Sequence, residues 1–186
     1  MRLLVVSLFV LFSTSVHAIP VEWVLQDIEF DDGGKASGSF TYDADTNSYS
    51  NINITTTGGS SFAGATYTTV STYLGGGAAN YLFVTESTNG TEDGFGHLRL
   101  IFGSDLTNTS GPTSLVNNWF VPTMEATCAS SCDTHEGDLR SMVEGEASQQ
   151  FGFVVQASAL VPVPPAVYLF GSALLLLARR KREQTS

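Results

Sequence analysis

Along this chain, apolar side chains recur at every second position far more often than at helical spacing. "GSFTYD" sets Phe40 and Tyr42 on one face, and "YSNINITTT" does the same with Ile52 and Ile54. "HLRLIFG" alternates Leu98, Leu100 and Phe102 against His97, Arg99 and Ile101, which puts His97 on the solvent side. "QQFGFVVQAS" places Phe151, Phe153 and Val155 on one face, and "NYLFVTES" is a short buried-type run. With "VEWVLQDIEF" and "ATYTTVSTYL" the pattern predicts roughly seven or eight strands. No segment of the body sustains the i, i+3, i+4, i+7 apolar pattern over three turns, so helices are not expected there.

Turn chemistry separates these segments: "DDGGK", "DADTN", "TGGSS", "LGGGAAN", "NGTEDG" and "SGPT" supply residues that tolerate positive φ or bond their own backbone. Strands joined by short links pair antiparallel, and many of them in one domain predict an all-β fold, a single antiparallel β-sandwich of jelly-roll-like or Ig-like type. Pro122 to Ser148 is the least strand-like region and reads as a long loop or a short helix.

Both ends depart from this pattern. "MRLLVVSLFVLFSTSVHA" has Arg2 as its basic start, an apolar run from Leu3 to Phe12 and a Val16, His17, Ala18 cleavage-like end, the layout of a secretory signal peptide over residues 1–18. The body then spans 19–160, enough for one domain with its own core. Within it stand three basic residues, Lys35, Arg99 and Arg140, against 17 carboxylates, all 18 acids of the chain except Glu183. Such a balance repels phosphate backbones and anionic lipid, which argues against nucleic acid as a partner.

Chemistry is sparse in the body. Cys128 and Cys132, in "CASSC", read as a local disulfide, because an exported chain meets an oxidising compartment; a metal cluster with His135 and Glu136 is the alternative. "DADTNSYSNINI" opens like a calcium loop, with Asp43, Asp45 and Asn47 at alternating positions. Ser48 then stands where the sharp-turn glycine belongs and Ile54 where the bidentate glutamate belongs, so a hairpin turn is the better reading and weak calcium binding the alternative. No other metal or cofactor is expected. "GGSSFAG" fits a nucleophile elbow at Gly59 and Ser61, but Ala63 replaces its second glycine. Only His97 and His135 remain as imidazoles in the body, so a secreted hydrolase is a minor alternative to a non-enzymatic protein. Asn53, Asn89 and Asn108 open tripeptides of the N-glycosylation type, consistent with surface positions.

The last segment, "VPVPPAVYLFGSALLLLARRKREQTS", is apolar from Ala166 to Ala178, which as a helix would span about 20 Å against a hydrocarbon layer of about 30 Å. Arg179, Arg180, Lys181 and Arg182 follow it and would stop transfer on the cytoplasmic side. This succession over 161–186, a proline motif, a short hydrophobic helix and a basic stub, resembles the PEP-CTERM sorting signals of Gram-negative bacteria, in detail their VPxPA variant. Val161, Pro162, Val163 and Pro164 match; Pro165 stands where the variant has alanine, and Val163 where the common form has glutamate. "DGGKASGSFTYDADTNSYS" also looks like a segment that recurs ahead of such tails. The resemblance implies recognition by an exosortase, an integral-membrane processing enzyme. It also implies a transient hold in the membrane and transfer of the body to the cell surface or an exopolysaccharide matrix. A plain single-span anchor is the alternative for the tail, and a carbohydrate- or calcium-binding adhesin module the alternative for the body.

Overall fold

Val21–Glu29, the first strand (β1), buries Trp23, Leu25 and Ile28. Leu25 and Ile28 are three residues apart yet share a face, because a bulge lies between them and Asp27 takes φ 52°. In the computed structural model, which describes residues 19–109, 111–117, 122–129, 134–143 and 152–157, β1 pairs antiparallel with β2 (Lys35–Asp43), and β2 with β3 (Ser48–Thr56). A second irregularity in the β2–β3 pair, beside Asn51 at φ 49°, turns Ile52 and Ile54 inward behind Tyr49. The expected pairs Phe40/Tyr42 and Ile52/Ile54 are therefore both core.

The segment expected as one strand over 65–74 divides. β4 (Thr66–Tyr67) stays on β3, whereas β5 (Thr69–Val70) joins β7, so the chain changes sheets at Thr68. A single 3-10 turn, Tyr73–Gly75, follows, then β6 (Gly77–Ala78), β7 (Tyr81–Thr85) and β8 (Gly96–Ile101). β9 (Thr113–Ser114), β10 (Met124–Ala129), β11 (Thr134–Ser141) and β12 (Phe153–Gln156) complete the set. Eight of these strands have four residues or more.

They form two antiparallel sheets, β4-β3-β2-β1-β12-β9 and β11-β10-β8-β7-β5, with β6 on β7. One apolar cluster draws on both: Trp23, Phe40, Ile54, Tyr67 and Val154 from the first, Leu82, Val84, Leu98 and Leu100 from the second. Phe40 and Phe102 meet across it at 5.9 Å between ring centroids. The result is an all-β, sandwich-like fold, as the alternation predicts.

Three expectations need correction. The region 122–148, read as loop or helix, holds β10 and β11; its sequence looks unlike strand because charged residues, Glu125 and Arg140, occupy the inward face. In β12 the core residue is Val154, while Phe153 and Val155 are only half-buried, so the inward face is the opposite one. His97 is buried, because residues from the 71–73 and 86–95 segments cover the far face of the second sheet. Residues 1–18, Cys132 and the tail 161–186 lie outside the described residues, and with them the expected signal peptide, sorting motif and membrane helix. Among the described residues no helix is long and apolar enough to cross a membrane.

Candidate functional site

β10 and β11 run antiparallel with Glu125 opposite Arg140, and Leu98 of β8 faces Glu125 on its other side. Since directly opposed residues share a face, this register sends both charges into the core beside Leu98. Arg140 Nη2 lies 2.6 Å from Glu125 Oε2, and both side chains are fully buried. The well-directed bond to that oxygen comes from Arg140 Nε at 2.8 Å; Nη2 adds proximity of charge. The first sheet supplies the remaining partners. Tyr67 on β4 and Thr56 on β3 donate hydroxyls to Glu125 Oε1 at 2.6 and 2.7 Å. Burial, and then the Glu125 carboxylate, push the Tyr67 phenol well above its ordinary value, which keeps it a donor.

The other arm of Arg140 reaches Asp32, with Nη1 at 3.2 Å from each carboxylate oxygen. Asp32 sits in the β1–β2 turn and also accepts from the backbone N–H of Gly34, Ser61 and Phe62. Burial alone would raise its pKa; the Gly34 N–H, the Arg140 guanidinium and the Ser61 N–H outweigh that and hold it below the usual 3.8. The guanidinium is stacked between Phe30, 4.4 Å away, and Phe62, 5.2 Å away. A Cβ on Gly34 would collide with Arg140 Nη1, so glycine is needed there for close approach. This cluster joins β3, β4, the β1–β2 turn and the 57–65 loop to β10 and β11. Chemically it is a buried charge network in which the Thr56 and Tyr67 hydroxyls, the Glu125 and Asp32 carboxylates and the Arg140 guanidinium are engaged with one another.

A third buried carboxylate, Glu92, holds the 86–95 loop against the 71–73 segment. It accepts from Ser71 Oγ and Thr72 N, each at 2.5 Å, and from Thr72 Oγ1 at 2.8 Å. Burial would raise its pKa, but these donors and nearby His97 lower it. His97 meets Tyr73 and Phe83 edge-on at 6.1 and 5.7 Å. Ser71 and His97 thus share a neighbourhood, yet the hydroxyl is spent on Glu92, which does not make a serine activated by an imidazole.

The calcium-like stretch is a hairpin turn. Asp43 Oδ1 and Oδ2 accept from Asp45 N and Thr46 Oγ1 at 2.9 and 2.8 Å, and Asn47 Oδ1 accepts from the Tyr42 hydroxyl at 2.7 Å. Asn47 adopts φ 49°, the left-handed conformation its short amide tolerates. Among the described residues no group of three His, Cys, Asp or Glu could hold a metal. Ser61 lies in a loop that leads into β4, a strand, and its N–H serves Asp32. Cys128 is buried on β10, opposite His135 of β11 in register, with Glu136 opposite Thr127. Asn53 and Asn89 are exposed; Asn108 is half-buried and accepts from Ala44 N at 3.4 Å.

Sequence reasoning missed the Glu125–Arg140–Asp32 network. The available signal was scarcity: an arginine in a body with three basic residues, preceded by Leu139 and followed two places on by Met142, has too little company to be ordinary surface charge. Comparison of the chain with family models, with curated proteins and with solved structures finds no match.

Proposed function

We propose that this is an exported, non-enzymatic protein of the cell surface or exopolysaccharide matrix of a Gram-negative bacterium, with a jelly-roll-like or Ig-like sandwich as its body. In this reading, residues 1–18 direct export and Cys128 and Cys132 close a local disulfide. An exosortase acts at Val161 to Pro165, and Arg179, Arg180, Lys181 and Arg182 stop the tail in the membrane. The single observation that carries the reading is the order of features in 161–186, which resembles a PEP-CTERM signal in its VPxPA form. A non-enzymatic role draws support from the described residues: their buried carboxylates, Glu92, Glu125 and Asp32, are spent on internal hydrogen bonds.

Intact mass of the protein recovered from surface, medium and inner-membrane fractions tests the reading. The expected result is a surface or medium species lacking both the leader and the segment beyond the proline motif. Recovery of only a chain extending to Ser186, confined to the inner membrane, would overturn it.

A further inference from the structure

Three steps in the chain place glycine directly after Asn or Asp: Asp32–Gly33, Asn89–Gly90 and Asp93–Gly94. At such a step the glycine nitrogen can attack the side-chain carbonyl carbon of the residue before it and close a five-membered imide, because no Cβ on the glycine hinders the approach. The fold treats the three differently. Gly33 N donates to Phe30 O at 2.9 Å and Gly94 N to Cys128 O at 2.8 Å, so both nitrogens are held in backbone hydrogen bonds. Asp32 is also held below its ordinary pKa, and the anion it remains is a poor electrophile. The Gly90 N–H, by contrast, makes no hydrogen bond among the described residues.

Asn89 is exposed, and its Oδ1 accepts from Thr91 N at 3.1 Å and from Ser87 Oγ at 3.0 Å. The bond from Thr91 closes an Asx turn, which folds the carboxamide back along the Gly90 peptide. Donors on Oδ1 sit where negative charge gathers when Cγ becomes tetrahedral, the placement that lowers barriers to acyl transfer. Ser87 shares its one proton with Thr91 O, which leaves the Thr91 N–H as the constant donor. Gly90 takes φ 81°, and a Cβ there would meet nothing within 4 Å, so nothing crowds the attacking nitrogen.

We propose that Asn89–Gly90 is a self-modifying site, at which the folded loop converts Asn89 into an aspartyl or a β-linked isoaspartyl residue. Hydroxide takes the Gly90 N–H proton and the nitrogen bonds to Asn89 Cγ. The Cγ–Nδ2 bond then breaks, and ammonia leaves with a proton from water, which regenerates hydroxide. Water opens the imide at Cγ to give aspartate, or at the Asn89 main-chain carbonyl carbon to give isoaspartate. The net change is ammonia lost and water gained. The new carboxylate stands three places before Glu92, which ties the 86–95 loop to Ser71 and Thr72. β-Linkage also lengthens the main chain by the Asn89 Cβ, so the loop's hold on the 71–73 segment loosens as the chain ages.

The test incubates the purified full chain between pH 7 and pH 9, folded and in urea, and follows peptide maps by mass and isoaspartyl content. Conversion at Asn89 is expected at least as fast in the folded chain as in urea, rising about tenfold per pH unit because the Gly90 proton must leave. Ser87→Ala should slow it by roughly threefold to tenfold through loss of one donor. Asn89→Gln should abolish it, since the ring would need a sixth member. Asp32 and Asp93 should stay α-linked in the folded chain and isomerise in urea. In the converted chain the Thr72 amide should exchange faster. Conversion of Asn89 that is slower in the folded chain than in urea, or absent there, would overturn the inference. Isomerisation of Asp32 or Asp93 in the folded chain at the Asn89 rate would overturn the part given to the unbonded Gly90 N–H. Unchanged exchange at Thr72 would overturn the loosening of the loop.

Discussion

Arg140 and Glu125 face one another across β10 and β11, both fully buried, with 2.6 Å between Nη2 and Oε2. Placing two charges inside a sandwich costs several kcal/mol of hydration per ion, which is offset only if every lone pair and proton finds a partner. Here Thr56, Tyr67 and Asp32 supply most of those partners from the opposite sheet and its turn, while Arg140 Nη2 has the charge of Glu125 beside it without a directed hydrogen bond.

Removing the cation alone should therefore be severe. Arg140→Met leaves two buried carboxylates uncompensated and is expected to cost about 3–5 kcal/mol in urea unfolding. The double variant Arg140→Met, Glu125→Leu should recover a good part of that loss. A single-variant loss below about 1 kcal/mol would show that the network is solvated in solution.

Asp32 makes stability depend on acid. Its pKa in the folded protein is below the ordinary carboxylate value, so its contribution is complete at neutral pH. It is lost as the pH falls through about 4 and below, where the unfolded chain binds the proton first. Urea midpoints measured from pH 7 to pH 2 should fall across that window. Asp32→Asn should be less stable at pH 7 and show a shallower fall.

Gly34 is expected to tolerate no side chain. Gly34→Ala places a methyl against Arg140 Nη1 and within 2.8 Å of Thr57 O, and should cost about 1–3 kcal/mol by overpacking. Gly111→Ala, where an added Cβ meets nothing within 4 Å, should leave the thermal midpoint unchanged. Equal effects at the two sites would contradict the close approach.

Glu92 should control one loop rather than the whole fold. Glu92→Leu removes the acceptor of Ser71 and Thr72, and hydrogen exchange is expected to rise at Thr72 and through Ser87 to Phe95. Amides of β1 to β3 should keep their protection. Loss of protection in both sheets together would mean that the 86–95 loop is integral to the core.

The Asp43–Asn47 turn closes by its own hydrogen bonds, so millimolar calcium should not raise the thermal midpoint. Asp43→Ala should destabilise the fold by about 0.5–1.5 kcal/mol with or without calcium, through loss of the bonds to Asp45 and Thr46. A calcium-dependent shift abolished by Asp43→Ala would establish the site that these contacts argue against.

The strands that could be read from sequence are those with one wet and one dry face. Phe40/Tyr42 and Ile52/Ile54 show the period of two because one side of each strand is apolar and the other polar; Leu98/Leu100/Phe102 show it too, although the other side of β8 carries Ile101 and the buried His97. β10 escaped notice because its core-facing position is Glu125, whose partners on β3, β4 and β11 are distant in sequence. His97 was misplaced for a related reason: alternation tells which side of a strand a residue occupies, not whether a loop such as 86–95 later covers that side. The interior place of β12 beside β1 was equally hidden, since nothing local in "FVVQ" says which strand it joins.

Asp32 and Arg140 are 108 residues apart, so a chain synthesised from its N-terminus presents the turn and its carboxylate long before the guanidinium arrives. Until Arg140 emerges, Asp32 and Glu125 are anions that gain more from water than from each other, and the two sheets have no cause to close over them. The network thereby acts as a test of completeness: a chain stopped between β10 and β11 keeps its core wet, and one carried through to Arg140 can shut.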